Sequence, residues 1–306
     1  MEARRRVPRV RITQLPDAAS RPRRVAVGTF DGVHLGHREV IAGSDTVLTF
    51  DPHPTAVVNP GAAPRLLTDF RRKAELIASL GVQELVVIPF DREFAGRSAQ
   101  QFVDDVLVGA LGATHVSVGE NFRFGHKAQG DAELLRGDER FETRIVELLE
   151  VDGEVVSSSH IRGLVLGGAV EYAGHLLGDP FTIAGAVVPG DKRGRELGYP
   201  TANLVPEAAF VTPGHGVYAA LARSLDEGDD APRHAAAVSI GVRPTFVTGR
   251  GELIEAYLLD FDADIYGHTL ELAFRKRLRG EKRFESVDAL VDQMARDVDA
   301  ARAICA

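Results

Sequence analysis

Two histidines three residues apart, His34 and His37, follow an apolar run in VAVGTFDGVHLGHREVI. The run reads as a buried strand ending at Gly28, and Asp31-Gly32 is a strong turn dipeptide. A helix starting near His34 places both imidazoles on one face. Its N-terminus offers free N–H groups and partial positive charge, which favour an anion. Gly28 and Gly32 let the backbone approach a phosphate closely. A single histidine here would read as structural, but strand, turn and spacing agree on a phosphate site.

A second dense signal is VVPGDKRGRELGYPTANL, residues 187–204. Gly190, Gly194 and Gly198 punctuate Lys192, Arg193 and Arg195, and such a loop can fold over polyphosphate through its backbone N–H groups. It is not a Walker A loop, since no G-x-x-x-x-G-K-[ST] occurs. Thr201 and Asn203 point the same way in an extended chain. Their neutral oxygens suit Mg²⁺ that already carries phosphate oxygens. Farther on, ELIEAYLLD puts Glu255 on the opposite strand face from Ile254, Ala256 and Leu258. A buried acid in so apolar a strand is costly unless paired or functional, and it is placed to act as a base. An edge-strand glutamate facing water is the bland alternative.

Two different architectures must position these groups. In the first half RVAVG, TVLTF, ELVVIPF and HVSVG alternate with helical patterns. DFRRKAELIASLG sets Phe70, Ala74, Ile77 and Leu80 near one face, and Ser98 with Gln101 forms a capping-box pattern. This alternation predicts βαβ units and a parallel sheet, with ligands beyond the carboxyl ends of the strands. Asp51 and His53 then follow a strand end and face that cleft. After Gly178-Asp179-Pro180 the runs FTIAGAVV, GVYAALA, HAAAVSIG, ELIEAYLLD and TLELAFRKRL follow one another without helices, which predicts an antiparallel sheet closed into a barrel. Val287, Leu290, Val291, Met294 and Val298 form the stripe of a terminal helix packed on it. IRGLVLGGAVEYAGHLLG reads as two short helices between the halves.

The string GTFDGVHLGH resembles the nucleotidyltransferase and class I aminoacyl-tRNA synthetase superfamily. TFDPHP, GENFRFG and SSSHIR are similar to the adenylyltransferase half of bacterial bifunctional riboflavin kinase/FAD synthetases, and GYPTAN, GVYAA, SIGVRPTF and DADIYG to the kinase half. The resemblance covers nearly the whole chain. It implies a Rossmann-like nucleotidyltransferase domain over residues 1–166, a helical linker at 167–180 and a six-stranded barrel at 181–306. It implies that His34 and His37 stabilise ATP phosphates, within a site that includes Gly28, Phe30, Asp31, Gly32, Asp51 and His53. Asn121 and Phe122 would lie against an isoalloxazine ring, and Ser158, Ser159 and Arg162 would hold ATP. In the barrel, Gly190, Arg193, Gly194 and Gly198 would cover the nucleotide, Thr201 and Asn203 would hold Mg²⁺ and ATP, and Glu255 would be the base. The expected activity is phosphorylation of riboflavin to FMN, then adenylylation of FMN to FAD. A kinase with an impaired first domain and a non-catalytic flavin or nucleotide sensor are the alternatives. One departure stands out: only AGSD separates Ile41 from TVLTF, so the helix after the histidines must be barely two turns long.

Composition agrees with this reading. The 306 residues are 44% hydrophobic and 26% charged, with net charge −8, an ordinary balance for two globular domains. The acidic balance argues against nucleic-acid binding. Cys305 is the single cysteine, so no intrachain disulfide or cysteine metal site exists, which suits a reducing cytoplasm. No run approaches 18 apolar residues, so no membrane-spanning segment is expected. The arginine-rich start lacks the apolar core of a secretory signal and reads as a solvated entry segment. Oligomeric state is not legible.

Overall fold

The computed structural model describes residues 9–190, 197–228, 230–243 and 251–306. Its contacts divide the chain into two compact units, Met1–Ser158 and Ser159–Ala306.

The first unit is built on six parallel strands in the order β1-β4-β3-β2-β5-β8. These are β1 (Arg11–Gln14), β2 (Arg23–Val27), β3 (Thr46–Asp51), β4 (Glu84–Pro89), β5 (Ala113–Gly119) and β8 (Glu142–Val146). Short hairpins pair β6 (Arg123–Phe124) with β7 (Gly130–Asp131), and β9 (Glu150–Val151) with β10 (Glu154–Val155). The main strands read as continuous apolar runs because both sheet faces are covered. Val25, Val27, Val86 and Ile88 pack with Phe102, Val103 and Leu107 on one side. Ala26, Leu85 and Val87 pack with Val40, Ile41, Ala74 and Ile77 on the other.

Helix α1 (Leu35–Ile41) connects β2 to β3 and has the two turns that the short AGSD connection requires. Helices α2 (Pro54–Val58) and α3 (Phe70–Ser79) lie between β3 and β4. After α4 (Arg92–Ala95) comes α5 (Ala99–Gln101), with both halves of the Ser98–Gln101 capping box formed, and it runs on as a π-helical segment to Ala110. Helix α6 is Ala132–Arg136.

The arginine-rich start is corrected by the structure. Arg11–Gln14 is an edge strand rather than a solvated entry segment, and Arg11 lies in register with Glu84 of β4. Arg11 and Arg21 reach the Glu84 carboxylate at 2.8 and 2.9 Å, while buried Arg23 reaches it at 3.1 Å. Burial pushes the Glu84 carboxyl up, but hydrogen bonds from Thr13 and Arg11 and the charge of Arg23 hold it at about 2. The arginines therefore serve a buried acid at the amino-terminal edge of the sheet, opposite the end where ligands bind.

The second unit begins with α7 (Ser158–Leu166) and α8 (Val170–Leu177). It closes as a barrel in the order β11-β12-β15-β14-β13-β16, every pairing antiparallel. The strands are β11 (Thr182–Val188), β12 (Ala202–Pro206), β13 (Gly216–Ser224), β14 (His234–Arg243), β15 (Gly251–Leu258) and β16 (Thr269–Arg279). Ala236, Val238, Ile240, Ile254 and Ala256 are wholly buried at alternate positions and fill the interior. Helix α9 (Val287–Cys305) packs on β13, β14 and β16 and is tied to β16 by Arg279 gripping Asp297 at 2.8 Å. Val287 departs from the expected stripe: it is 61% exposed at the first turn of α9.

Candidate functional site

In the first unit the chain runs from β2 to β3 and β4 in one direction, then returns to lay β5 on the other side of β2. That reversal leaves a crevice beyond the carboxyl ends of β2 and β5, where open α/β sheets bind ligands. GTFDGVHLGH leaves β2 and ENFRFG leaves β5, so both strings border it.

His34 is the N-cap of α1 and is 5% exposed. Its Nδ1 accepts from the backbone N–H of His37 at 3.2 Å, which puts the proton of the neutral ring on Nε2 and makes that edge a donor. The His37 ring stacks on it at 3.5 Å between centroids, with its own Nδ1 buried and without a hydrogen-bond partner. Burial lowers His34 to about 4. Burial, then the charges of His34 and Lys73, lowers His37 well below the ordinary histidine value. Both rings are therefore neutral at pH 7 before any anion arrives.

The turn that presents them is strained. Phe30 has φ 50° and Val33 φ 45°, a region that costs a bulky residue of order 1–3 kcal/mol. The Phe30 ring lies edge-on to His37 at 5.3 Å, and a Cβ on Gly28 would meet it at 3.0 Å. Gly32 sits at φ 89° and donates to Thr68 Oγ1 at 3.2 Å. Asp31 is 2% exposed. Its carboxylate accepts from the N–H of Leu67 at 2.8 Å and of Thr68 at 3.3 Å, so it anchors the turn. Ser158 Oγ donates to the Asp31 carbonyl at 2.9 Å.

Other expected residues are more peripheral. Asp51 is exposed at the end of β3. His53 is half-buried and caps α2 by accepting from Thr55 N at 3.2 Å. Asn121 is exposed, and Phe122 is half-buried, stacked on Phe124 at 5.4 Å and packed against the core. Ser159 and Arg162 sit three apart on α7, their side chains 3.4 Å apart, and belong to the second unit.

Lys73 was not anticipated. It sits on the inward face of α3, 8% exposed, and donates to the Thr29 carbonyl at 2.9 Å. Burial lowers its pKa, opposed by the charges of Asp31 and Asp51. The sequence held a signal: Lys73 falls at helical spacing between Phe70 and Ile77, on the apolar stripe.

In the barrel, Asn203 on β12 lies directly opposite Glu255 on β15, and Ser239 on β14 lies opposite Glu255 on its other side. This row is on the face away from the filled interior. Asn203 is nevertheless only 7% exposed, because Gly190 is packed so tightly over it that a Cβ there would fall 2.1 Å from its amide nitrogen. Thr201 precedes β12 on the same side of the extended chain, half-buried. Tyr199 meets Tyr257 edge-on at 5.3 Å, which ties the GYPTAN stretch to the Glu255 face of β15. Glu255 itself is half-buried rather than buried. The sheet interior belongs to Ile254 and Ala256, and the acid keeps access to solvent. Gly198 is at φ 85° in the same approach. Arg193 and Gly194 lie outside the described residues.

Among the described residues no cluster of three His, Cys, Asp or Glu could hold a metal. Two neutral oxygens do not retain a divalent ion by themselves, so Thr201 and Asn203 fit an ion that arrives with phosphate oxygens. Among the same residues no helix is long and apolar enough to cross a membrane.

Comparison with known proteins gives consistent results for both units. A family model described as FAD synthetase matches residues 17–160, and one described as riboflavin kinase matches residues 177–305. The chain is 39% identical over 295 residues to the bifunctional riboflavin kinase/FMN adenylyltransferase of Listeria monocytogenes, covering 92% of each chain. It is 38% identical over 291 residues to the protein of that name from Escherichia coli K12, covering 91% of each. A crystal structure described as a macrolide-efflux protein from Streptococcus pneumoniae superposes with a TM-score of 0.86 at 31% identity, over 96% of this chain and 99% of that one.

Proposed function

The chain belongs to the family of bifunctional riboflavin kinase/FMN adenylyltransferases, and from that premise we propose how its own residues divide the two reactions. It is an enzyme that phosphorylates riboflavin to FMN and adenylylates FMN to FAD with release of pyrophosphate. We assign the transferase to residues 1–166, the kinase to the barrel of 181–306, and the helical segment 167–180 to a linker.

In the barrel, Glu255 takes the proton of the riboflavin 5′-hydroxyl as its oxygen attacks the γ-phosphorus of ATP. Thr201 and Asn203 hold Mg²⁺ with the nucleotide, and the ion neutralises charge on the phosphates. Phosphoryl transfer asks mainly for alignment and charge neutralisation, which suits a site whose one acid stands beside buried Asn203. Gly190 and Gly198, with Arg193 and Gly194, form the cover over the phosphates.

In the first unit the FMN phosphate attacks the α-phosphorus of a second ATP. The Nε2–H edge of His34, its tautomer set by the backbone, donates to phosphate oxygen, and His37 stacked on it is the second donor. Preorganised donors in a dry site act most strongly where charge develops, here on the α-phosphate and the leaving pyrophosphate. Gly28, Phe30, Asp31 and Gly32 shape the turn. Asp51, His53, Ser158, Ser159 and Arg162 serve ATP, and Asn121 and Phe122 the flavin. No covalent enzyme intermediate is required.

The observation that carries the reading is the stacked, neutral histidine pair at the crevice in one unit and the Asn203–Glu255 pairing in the other. ATP, riboflavin and FMN are the partners, neither nucleic acid nor membrane is needed, and the cytoplasm supplies the ATP. Incubating the protein with riboflavin and MgATP and following flavins by chromatography tests this directly. FMN should appear first and FAD after it; formation of neither would overturn the proposal, and FMN without FAD would leave a kinase alone.

A further inference from the structure

The phosphate chemistry above makes no use of Lys73, yet the fold buries its charge on the inward face of α3, 8% exposed. Such burial is unfavourable unless the charge is used. An ammonium carries three donors, and only one is accounted for, by the Thr29 carbonyl at 2.9 Å. Lys73 forms no salt bridge among the described residues.

Thr29 is the residue before the strained turn. Its carbonyl also accepts from Thr49 Oγ1 of β3 at 3.2 Å, so two donors from separate elements pin it. The next residue is Phe30, at φ 50°, whose ring lies edge-on to His37. A shift at Thr29 passes through Phe30 to the histidine in two steps.

We propose that Lys73 is a positioning residue for adenylyl transfer, holding the Thr29 carbonyl and with it the turn through which Phe30 sets the ring of His37. The inference rests on reading the histidine pair as the phosphate site. A second effect follows from its charge. His37 faces His34 from α1 and Lys73 from α3, and Lys73 in turn faces Asp31 of the turn and Asp51 of β3. The cation opposes protonation of His37, so that ring reaches the phosphates neutral.

The test uses the full chain and follows FAD formation from FMN and MgATP across pH 5–8, with riboflavin phosphorylation measured in the same samples. Lys73→Met should lower kcat by about 10–100-fold, the size expected when reacting groups are displaced, with the KM for MgATP within about threefold. Its acid limb should move to higher pH, because His37 then protonates more readily. Lys73→Gln keeps a donor for Thr29 but not the charge; it should recover most of kcat and retain the shifted limb. Kinase turnover should be unchanged in both. Wild-type kcat and pH profile in Lys73→Met would overturn the proposal, as would an effect confined to the KM for MgATP, which would mark a direct phosphate contact. Should that variant fail to fold, titration of the His37 ring by NMR in the wild-type chain, identified against His37→Asn, decides the charge effect: a midpoint near the ordinary value of about 6.5 would overturn it. A wild-type protein that makes no FAD refutes the phosphate site itself; one that makes FAD while Lys73→Met is indifferent refutes only the role of Lys73.

Discussion

His34 and His37 occupy a dry corner where the backbone sets one ring's tautomer and burial keeps both uncharged. Glu255 stands half-exposed on the outer face of a closed barrel, beside an amide that is itself buried. Both regions are read as phosphate sites, but they are prepared differently. In the first, the donors are fixed in a strained turn before substrate arrives. In the second, the acid sits on a regular strand and its partner is fixed by a glycine pressed against it. The difference follows the chemistry: stabilising charge at an α-phosphate needs aimed donors, whereas taking a proton from a hydroxyl needs a base that stays ionised until it is used.

The sharpest way to break this comparison is to remove both imidazoles. His34→Ala with His37→Ala should cut FAD formation by about 10⁴ or more, at roughly 10²–10³ per lost donor, while riboflavin is still converted to FMN. Loss of both activities would contradict two independent sites. Glu255→Gln is the converse: kinase turnover should fall by about 10²–10⁴, with FAD formation from supplied FMN unchanged, and near-normal kinase turnover would remove its role as base.

The two environments also differ in their response to acid. His34 is at about 4 in the folded state against about 6.5 unfolded, so the unfolded chain binds more protons in that interval. Stability of the first unit is therefore complete above about pH 6.5 and is lost as pH falls towards 4, by roughly 3 kcal/mol from His34. Thermal unfolding of the wild type should show this slope, and His34→Gln should flatten it; an unchanged slope would mean that the ring is not buried neutral. The smallest effect sharpens the second site. Gly190→Ala drives a methyl into the Asn203 amide and should weaken kinase kcat/KM for MgATP by about tenfold, in line with a small displacement of a positioned group, without touching FAD formation.

Much of the sheet was legible because β2, β3, β4 and β5 are buried on both faces and so read as unbroken apolar runs. The closed barrel followed from strand-like runs with no helix between them. β1 was not legible: four residues of an edge strand carry little pattern, and what holds them is Glu84, more than seventy residues away along the chain. Lys73 was passed over because a lysine within RRKAELIASL reads as solvated until α3 is laid on the sheet. Arg193 and Gly194 are outside the described residues.

The sequence by itself determined where the reactive groups cluster, since His34 with His37, and Thr201 with Asn203, are set by local spacing and by turns that need only neighbouring residues. Tertiary structure alone decided their electrostatic state. Burial of the histidines, the cation of α3 beneath their turn, and the outward, half-exposed face of Glu255 all depend on segments distant in the chain. Solvent exclusion and charge proximity are properties of the packed volume, and no local pattern carries them.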